Sequence, residues 1–168
     1  MTGPAGLIIA PMTPEDWPEV RRIYAEGIAT GNATFETETP TWDTWDRNHL
    51  SACRLTARVG DAVVAWVAIS PVSARPCYAG VVEHSVYVAE AMRGRGVGKA
   101  LLAELVRVSE ASGYWTLQSS VFPENQASLA IHLACGFRIL GRRKRVAMLN
   151  GRWRDTVVVE RRSTVAGE

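Results

Sequence analysis

The segment AMRGRGVGKALLAELV, residues 91–106, holds three glycines and three basic side chains just ahead of apolar residues at helical spacing. Bare backbone and positive charge at a helix N-terminus suit an anion. A Walker A loop needs Gly, four residues and then Gly-Lys-Ser/Thr. Here only three residues separate Gly94 from Gly98, and Ala100 lacks the hydroxyl that would hold magnesium. A Rossmann fingerprint fails as well, because Lys99 stands where the third glycine belongs. The pattern that fits is R-x-x-G-x-G, formed by Arg93, Gly96 and Gly98, between a strand ending near Val88 and a helix starting near Val97. With Gly94, Arg95 and Lys99 it forms a loop suited to a diphosphate. Taken alone, the motif reads rather as a glycine-rich turn with solvated basic residues.

Two other residues have the chemistry of proton transfer. Glu83 lies in AGVVEHSVYV, an otherwise apolar and central-looking strand directly before the glycine loop. A carboxylate buried there would cost several kcal/mol unless paired, or its pKa would rise towards that of a base working near neutral pH. A glutamate on the polar face of a half-exposed strand fits the same sequence. His132, in SLAIHLACGF, shares a helix face with Ser128. An imidazole there can give or take a proton near pH 7, or simply be a satisfied helix histidine. His84 faces opposite to Glu83 and reads as packing, and His49 reads as solvated.

Elements must position these groups. GLIIAPM reads as a strand and EDWPEVRRIYAEGIAT as a helix entered through Thr13 and Pro14. After the polar loop GNATFETETPTW, a shorter helix is expected with Thr41 as its cap. RLTARVGDAVVAWVAISPV predicts a hairpin turning at Gly60 and Asp61, and AGVVEHSVYVAE a further strand. A helix from Val97 to about Ser112, the strand YWTLQSSVF, a helix in ENQASLAIHLACG and a final hairpin around Asn150 and Gly151 complete the order. The expectation is one α/β (α+β) domain over 1–168, its core about 7–162, with helices flanking one sheet.

Composition excludes several classes. The 168 residues carry 19 Lys+Arg against 17 Asp+Glu, a formal charge of +2, which gives no general polyanion-binding character. The basic run GRRKRV, residues 141–146, lacks a surrounding basic excess or an aromatic platform, so no nucleic-acid partner is expected. Cys53, Cys77 and Cys135 form no CxxC pair or secretory pattern. They read as free thiols of a cytoplasmic protein. The N-terminal stretch has neither a charged n-region nor an apolar run long enough for a signal or membrane span, so no membrane partner is expected. No metal site is predicted.

VVEHSVYV, RGRGVGKALL and ENQASLAIHLACGF, in that order and separation, resemble the GNAT N-acetyltransferase superfamily. GNATFETETPTW, ARPCYAGVVEHSVYV, SLAIHLACGF and NGRWRDTVV resemble, more narrowly, its phosphinothricin and methionine sulfoximine acetyltransferases, over about Pro11 to Val159. The resemblance implies a GNAT fold with a mixed, mostly antiparallel sheet, acetyl-CoA as co-substrate, and transfer to the α-amino group of a small amino-acid-like compound in a ternary complex. It also implies a homodimer with contacts in the C-terminal strands.

Residue by residue, the resemblance places the catalytic glutamate at Glu83. It puts a histidine at His132, either as acid for the leaving sulfur or as partner to Glu83. Arg93, Gly94, Arg95, Gly96, Val97, Gly98 and Lys99 would hold the pyrophosphate, the backbone of Val86 and Val88 the pantetheine arm, and Asn125 and Ser128 further parts of CoA. Arg75 and Tyr78 would meet the substrate, an arginine fork suiting a carboxylate, and Phe35 and Trp153 would wall its pocket. Two other readings stay open: an acetyltransferase acting on a protein or peptide amine, and a noncatalytic acyl-CoA sensor.

Overall fold

The computed structural model describes residues 3–168. The described chain opens with β1 (Leu7–Pro11), a 3-10 turn at Pro14–Asp16 and α1 (Trp17–Ala29). Next come α2 (Trp42–Asn48), β2 (Leu55–Val59), β3 (Ala62–Pro71), β4 (Val81–Val88) and α3 (Val97–Ala111). β5 (Thr116–Val121), α4 (Gln126–Ala134), β6 (Arg138–Leu149) and β7 (Arg152–Arg162) complete the order. The seven strands form one sheet in the order β1-β2-β3-β4-β5-β7-β6. Every pair is antiparallel except β4 with β5.

That parallel pair creates the site. β4 and β5 are paired only from Val81–Glu83 to Thr116–Gln118. Past Glu83 each strand stays bonded on its outer side, β4 to β3 as far as Val88 and β5 to β7 as far as Val121. The sheet's twist carries the two halves apart, so a mostly continuous sheet forks at its centre.

Both faces of the sheet's centre are covered. β3 is buried from Val63 to Ile69, as a strand with helices on either side must be. Val67 and Ile69 join Val97, Leu101, Leu102 and Leu105 of α3 in one core, while Trp66 and Ala68 join Val20, Ile23 and Trp45 in the other. Each fully buried leucine of α3 contributes about 1.5–3 kcal/mol through removal of apolar area from water. The second core is aromatic: Trp66 stacks on Tyr87 at 4.8 Å and meets Trp45 edge-on at 5.7 Å. Strand alternation therefore turns Glu83, Ser85 and Tyr87 towards α1 and α2, and Val82, His84, Val86 and Val88 towards α3 and α4.

Helix termini follow their sequence signals. Thr41 accepts from the Thr44 amide at the start of α2, and Asn125 from the Ser128 amide at the start of α4. α3 begins after Gly96, whose φ of 81° lies in the left-handed region that glycine enters without a Cβ clash.

Candidate active site

Glu83 is the last residue of β4 to pair with β5 and so stands at the apex of the fork. The fork opens into a cavity of about 280 Å³ whose walls include Glu83, His84, Ser119, Phe122, His132 and Thr156. Of the two readings open for this carboxylate, burial in a central strand and exposure on a polar face, the structure has the second. Glu83 is exposed, because the strand that would have covered it diverges just beyond it. Among the described residues its carboxylate has no hydrogen-bond or ion-pair partner, which leaves it free to engage water or an ammonium group.

A second cavity of about 500 Å³ shares Val86, Tyr87, Asn125 and Ser128 with the first and runs on to the glycine loop. Arg93, Gly94, Gly96, Val97, Gly98 and Lys99 line it. Because Ala100 donates the first intrahelical bond to Gly96, the amides ahead of it in α3 have no helical partner. Gly94 has a φ of 74° and nothing within 4 Å of where a Cβ would sit. At Gly98 a Cβ would press on the side chains of Ile131 at 3.2 Å and Val88 at 3.3 Å, which would have to give way by about a few tenths of an ångström. These are the features of a diphosphate cradle.

The free edge of β4 leads from the cradle to Glu83. Ala89 donates its amide to Val64 on β3, so Val88, one residue earlier, turns its amide and carbonyl away from β3. The Val88 carbonyl accepts from Arg93 Nε at 3.2 Å. By the two-residue repeat of a strand, Val86 presents its polar backbone on the same edge. An extended ligand arm can pair there as an added strand. Arg95, grouped with the loop from the sequence, is exposed and outside the cavity walls.

His132 does not pair with Glu83. Its Nε2 meets Nε2 of His84 at 2.8 Å, and its Nδ1 lies 2.7 Å from the Ser128 carbonyl. Phe137 packs against both rings at about 5 Å. The carbonyl can only accept, so the network assigns the proton of His132 to Nδ1, and His84 Nε2–H then donates across the pair. Nδ1 of His84 is left buried without a hydrogen bond. Burial and the neighbouring His132 push the His84 pKa down to about 3, with the nearby Gln118 backbone opposing the drop. Burial likewise lowers His132, opposed by its bond to Ser128. Both rings are thus neutral at pH 7. Glu83 lies on the opposite face of β4, and His84 takes the place the sequence reading gave it.

The loop between α1 and α2 closes the first cavity. Phe35 from this loop packs edge-on against Phe122 at 4.9 Å and lines the wall of this cavity. Arg154 of β7, which sequence reasoning missed, holds the loop in place. Its guanidinium donates to the Gly31 carbonyl at 2.8 Å and Asn32 Oδ1 at 2.7 Å, reaches Glu124 at 3.3 Å, and lies 4.1 Å over the Phe122 ring. Asn125 adds a bond from Nδ2 to the Asn32 carbonyl.

Arg75, Tyr78 and Trp153 are not brought to either cavity. Arg75 lies over Tyr78 at 5.8 Å on the exposed segment before β4, and Trp153 is half exposed on the β6–β7 hairpin beneath Arg145. Arg75 and Tyr78 lie on the exposed segment before the paired start of β4, and Trp153 lies at the opposite end of the sheet, at the start of β7. Within the described residues, no helix is long and apolar enough to cross a membrane.

A central sheet forked at one parallel pair, with a glycine cradle at the N-terminus of the following helix, defines an acyl-CoA transferase fold. Residues 15–137 match the Acetyltransferase (GNAT) family, and the chain belongs to it. It is 34% identical to a phosphinothricin N-acetyltransferase of Alcaligenes faecalis over 88% of this chain and 78% of that protein. It is 36% identical to an L-methionine sulfoximine/L-methionine sulfone acetyltransferase of Pseudomonas aeruginosa over 49% of this chain and 48% of the other. Among solved structures, a ribosomal-protein-alanine N-acetyltransferase of Brucella melitensis aligns with a TM-score of 0.85 at 27% identity, covering 93% and 99% of the two chains. Related structures hold acetyl-CoA. The protein is an acetyl-CoA-dependent N-acetyltransferase.

Proposed function

We propose that the protein transfers the acetyl group of acetyl-CoA to the α-amino group of a small amino-acid-like acceptor, of the phosphinothricin, methionine sulfoximine or methionine sulfone type. The observation that carries this reading is the unpartnered Glu83 carboxylate at the apex of the fork, where the CoA cavity meets a compact second cavity. The similarity to acetyltransferases named for such acceptors supports it.

The chemistry follows from the placement. Glu83 takes a proton from the acceptor ammonium, directly or through one water, so that the amine can attack the thioester carbonyl. Backbone amides on the free edge of β4 are placed to stabilise the oxyanion that forms. The neutral His84–His132 pair fixes the floor of the fork and joins α4 to β4. Direct transfer in a ternary complex is supported by the cysteines: among the described residues none lines either cavity, and burial raises the thiol pKa of Cys53 and Cys135.

A homodimer is part of the proposal. β6 is the outermost strand of the sheet, and its exposed Ile139, Leu140, Val146 and Met148 leave an apolar edge that a second copy would cover. Sedimentation at micromolar concentration should give twice the chain mass.

The experiment that tests the function is thiol release from acetyl-CoA across a panel of methionine sulfone, methionine sulfoximine, phosphinothricin, common amino acids, polyamines and a basic peptide. Release confined to the amino-acid-like amines is expected. The structural likeness to a ribosomal-protein-alanine acetyltransferase gives the second reading, a peptide N-terminus, and release with the peptide alone would establish that one.

A further inference from the structure

The two cavities meet along Ala33, Val86, Tyr87, Asn125 and Ser128. A thioester reaching along the free edge of β4 would meet the acceptor amine at this junction. When the tetrahedral intermediate collapses there, the C–S electron pair goes to sulfur, and the departing thiolate needs a hydrogen-bond donor. His132, to which the resemblance gave that task, has no ring nitrogen free. Its Nδ1–H donates to the Ser128 carbonyl at 2.7 Å, and its Nε2 accepts from His84 at 2.8 Å.

The other polar groups at the junction narrow the choice. Asn125 is engaged at both ends of its amide, Oδ1 by the Ser128 amide and Nδ2 by the Asn32 carbonyl. The Tyr87 hydroxyl lies beside Thr34. Ser128, half-buried on the first turn of α4, is different. Its Oγ lies 3.4 Å from His132 Nδ1, the nitrogen that carries the proton, so the serine oxygen can only accept from it. Among the described residues Oγ has no other side-chain partner, and its own hydrogen is left to point elsewhere. His84 Nε2–H and His132 Nδ1–H thus form a chain of donors running in one direction, which ends at a free hydroxyl where the cavities join.

We propose that Ser128 donates a hydrogen bond to the departing thiolate of CoA, and that His132, held by His84, is a positioning residue that turns the serine hydrogen away from the helix and towards the sulfur. The proposal rests on CoA occupying the larger cavity and is independent of which amine accepts. No proton leaves the chain of donors. Glu83 takes one proton from the acceptor ammonium, the nitrogen releases a second to water as the amide forms, and the sulfur departs with the C–S electron pair and is then protonated from water.

The test compares CoA with desulfo-CoA, which lacks the sulfur, as inhibitors of the wild type and S128A between about pH 7 and pH 10. In the wild type, CoA should tighten relative to desulfo-CoA by about tenfold as its thiol ionises, because a charged acceptor strengthens the serine's hydrogen bond. S128A should lose that gain while binding desulfo-CoA as before, and its kcat should fall about ten- to a hundredfold with the KM for acetyl-CoA little changed. H132N, which keeps an amide donor near the Nδ1 position, should retain more turnover than H132L, and S128A/H132L should be no slower than S128A. Melting curves check that the histidine variants fold, and S128A carries the test if they do not. Parallel pH curves for CoA and desulfo-CoA in the wild type, or wild-type kcat in S128A, would overturn the role of Ser128. A gain for CoA that survives in S128A and vanishes in H132L would give the donor role to His132 instead. If Lys99→Ala leaves desulfo-CoA binding unchanged, the placement of CoA falls and this proposal with it.

Discussion

His84 and His132, 48 residues apart in the chain, meet through their Nε2 atoms at 2.8 Å and bind a strand of the sheet to the helix beside the fork. Both are buried and both titrate below the ordinary histidine range. In the unfolded chain they are ordinary histidines, so between about pH 6.5 and pH 3 the unfolded state binds more protons than the folded state. Stability therefore rises with pH through this window and is lost as pH falls.

Urea unfolding at pH 7.5, 6.5, 5.5 and 4.5 should show a loss on the order of 1 kcal/mol per pH unit below about pH 6.5. His84→Gln should be less stable at pH 7.5 but lose less on acidification. Parallel pH curves for the two proteins would mean that the pair does not govern acid sensitivity.

Glu83→Gln keeps the shape of the apex but cannot accept a proton. Turnover should fall about a hundredfold or more while the KM for acetyl-CoA changes little. Raising pH should partly restore the variant, because more of the acceptor amine is then already neutral. A variant with wild-type turnover would remove Glu83 from the chemistry.

The cradle separates two basic residues that the sequence had grouped. Lys99 lines the cavity proposed to take CoA, whereas Arg95 is exposed outside its walls. Lys99→Ala should raise the KM for acetyl-CoA about five- to tenfold, with the gap shrinking at 0.5 M salt as screening weakens the charge contribution. Arg95→Ala should have the smaller effect, and the opposite ranking would return Arg95 to the cradle.

Arg154 tests the acceptor loop. Arg154→Met removes the donors that hold Gly31 and Asn32, each charged hydrogen bond being worth about 1.5–3 kcal/mol. The KM for the amine should rise about tenfold with acetyl-CoA KM unchanged, and melting should fall by several degrees. Arg154→Lys keeps the charge but not the planar fork and should recover only part of the loss. An unchanged amine KM would mean that the loop holds its shape without Arg154.

The sequence by itself determined the element order, because hydrophobic period, caps and turn residues act locally. Thr41 and Asn125 cap the helices they precede, Gly60–Asp61 and Asn150–Gly151 lie at hairpin turns, and the loop from Arg93 to Lys99 leads into α3 as its glycines require. Phe35, Asn125 and Ser128 reached the cavities for the same reason: their segments carry the site on short, well-specified loops and helix ends.

Only the tertiary structure decided where the sheet forks, since β4 and β5 are joined through a helical crossover and their pairing length is set by twist and by their outer partners. At the apex of that fork Glu83 is exposed, a choice the sequence left open. Side-chain meetings across long separations were equally invisible in the sequence: His84 with His132, and Arg154 of β7 with Asn32. Residue type and local pattern give each of these groups its capacity, but its partner is chosen by packing between distant segments, and that choice made His84 a partner of His132 and Arg154 a fastening for the loop.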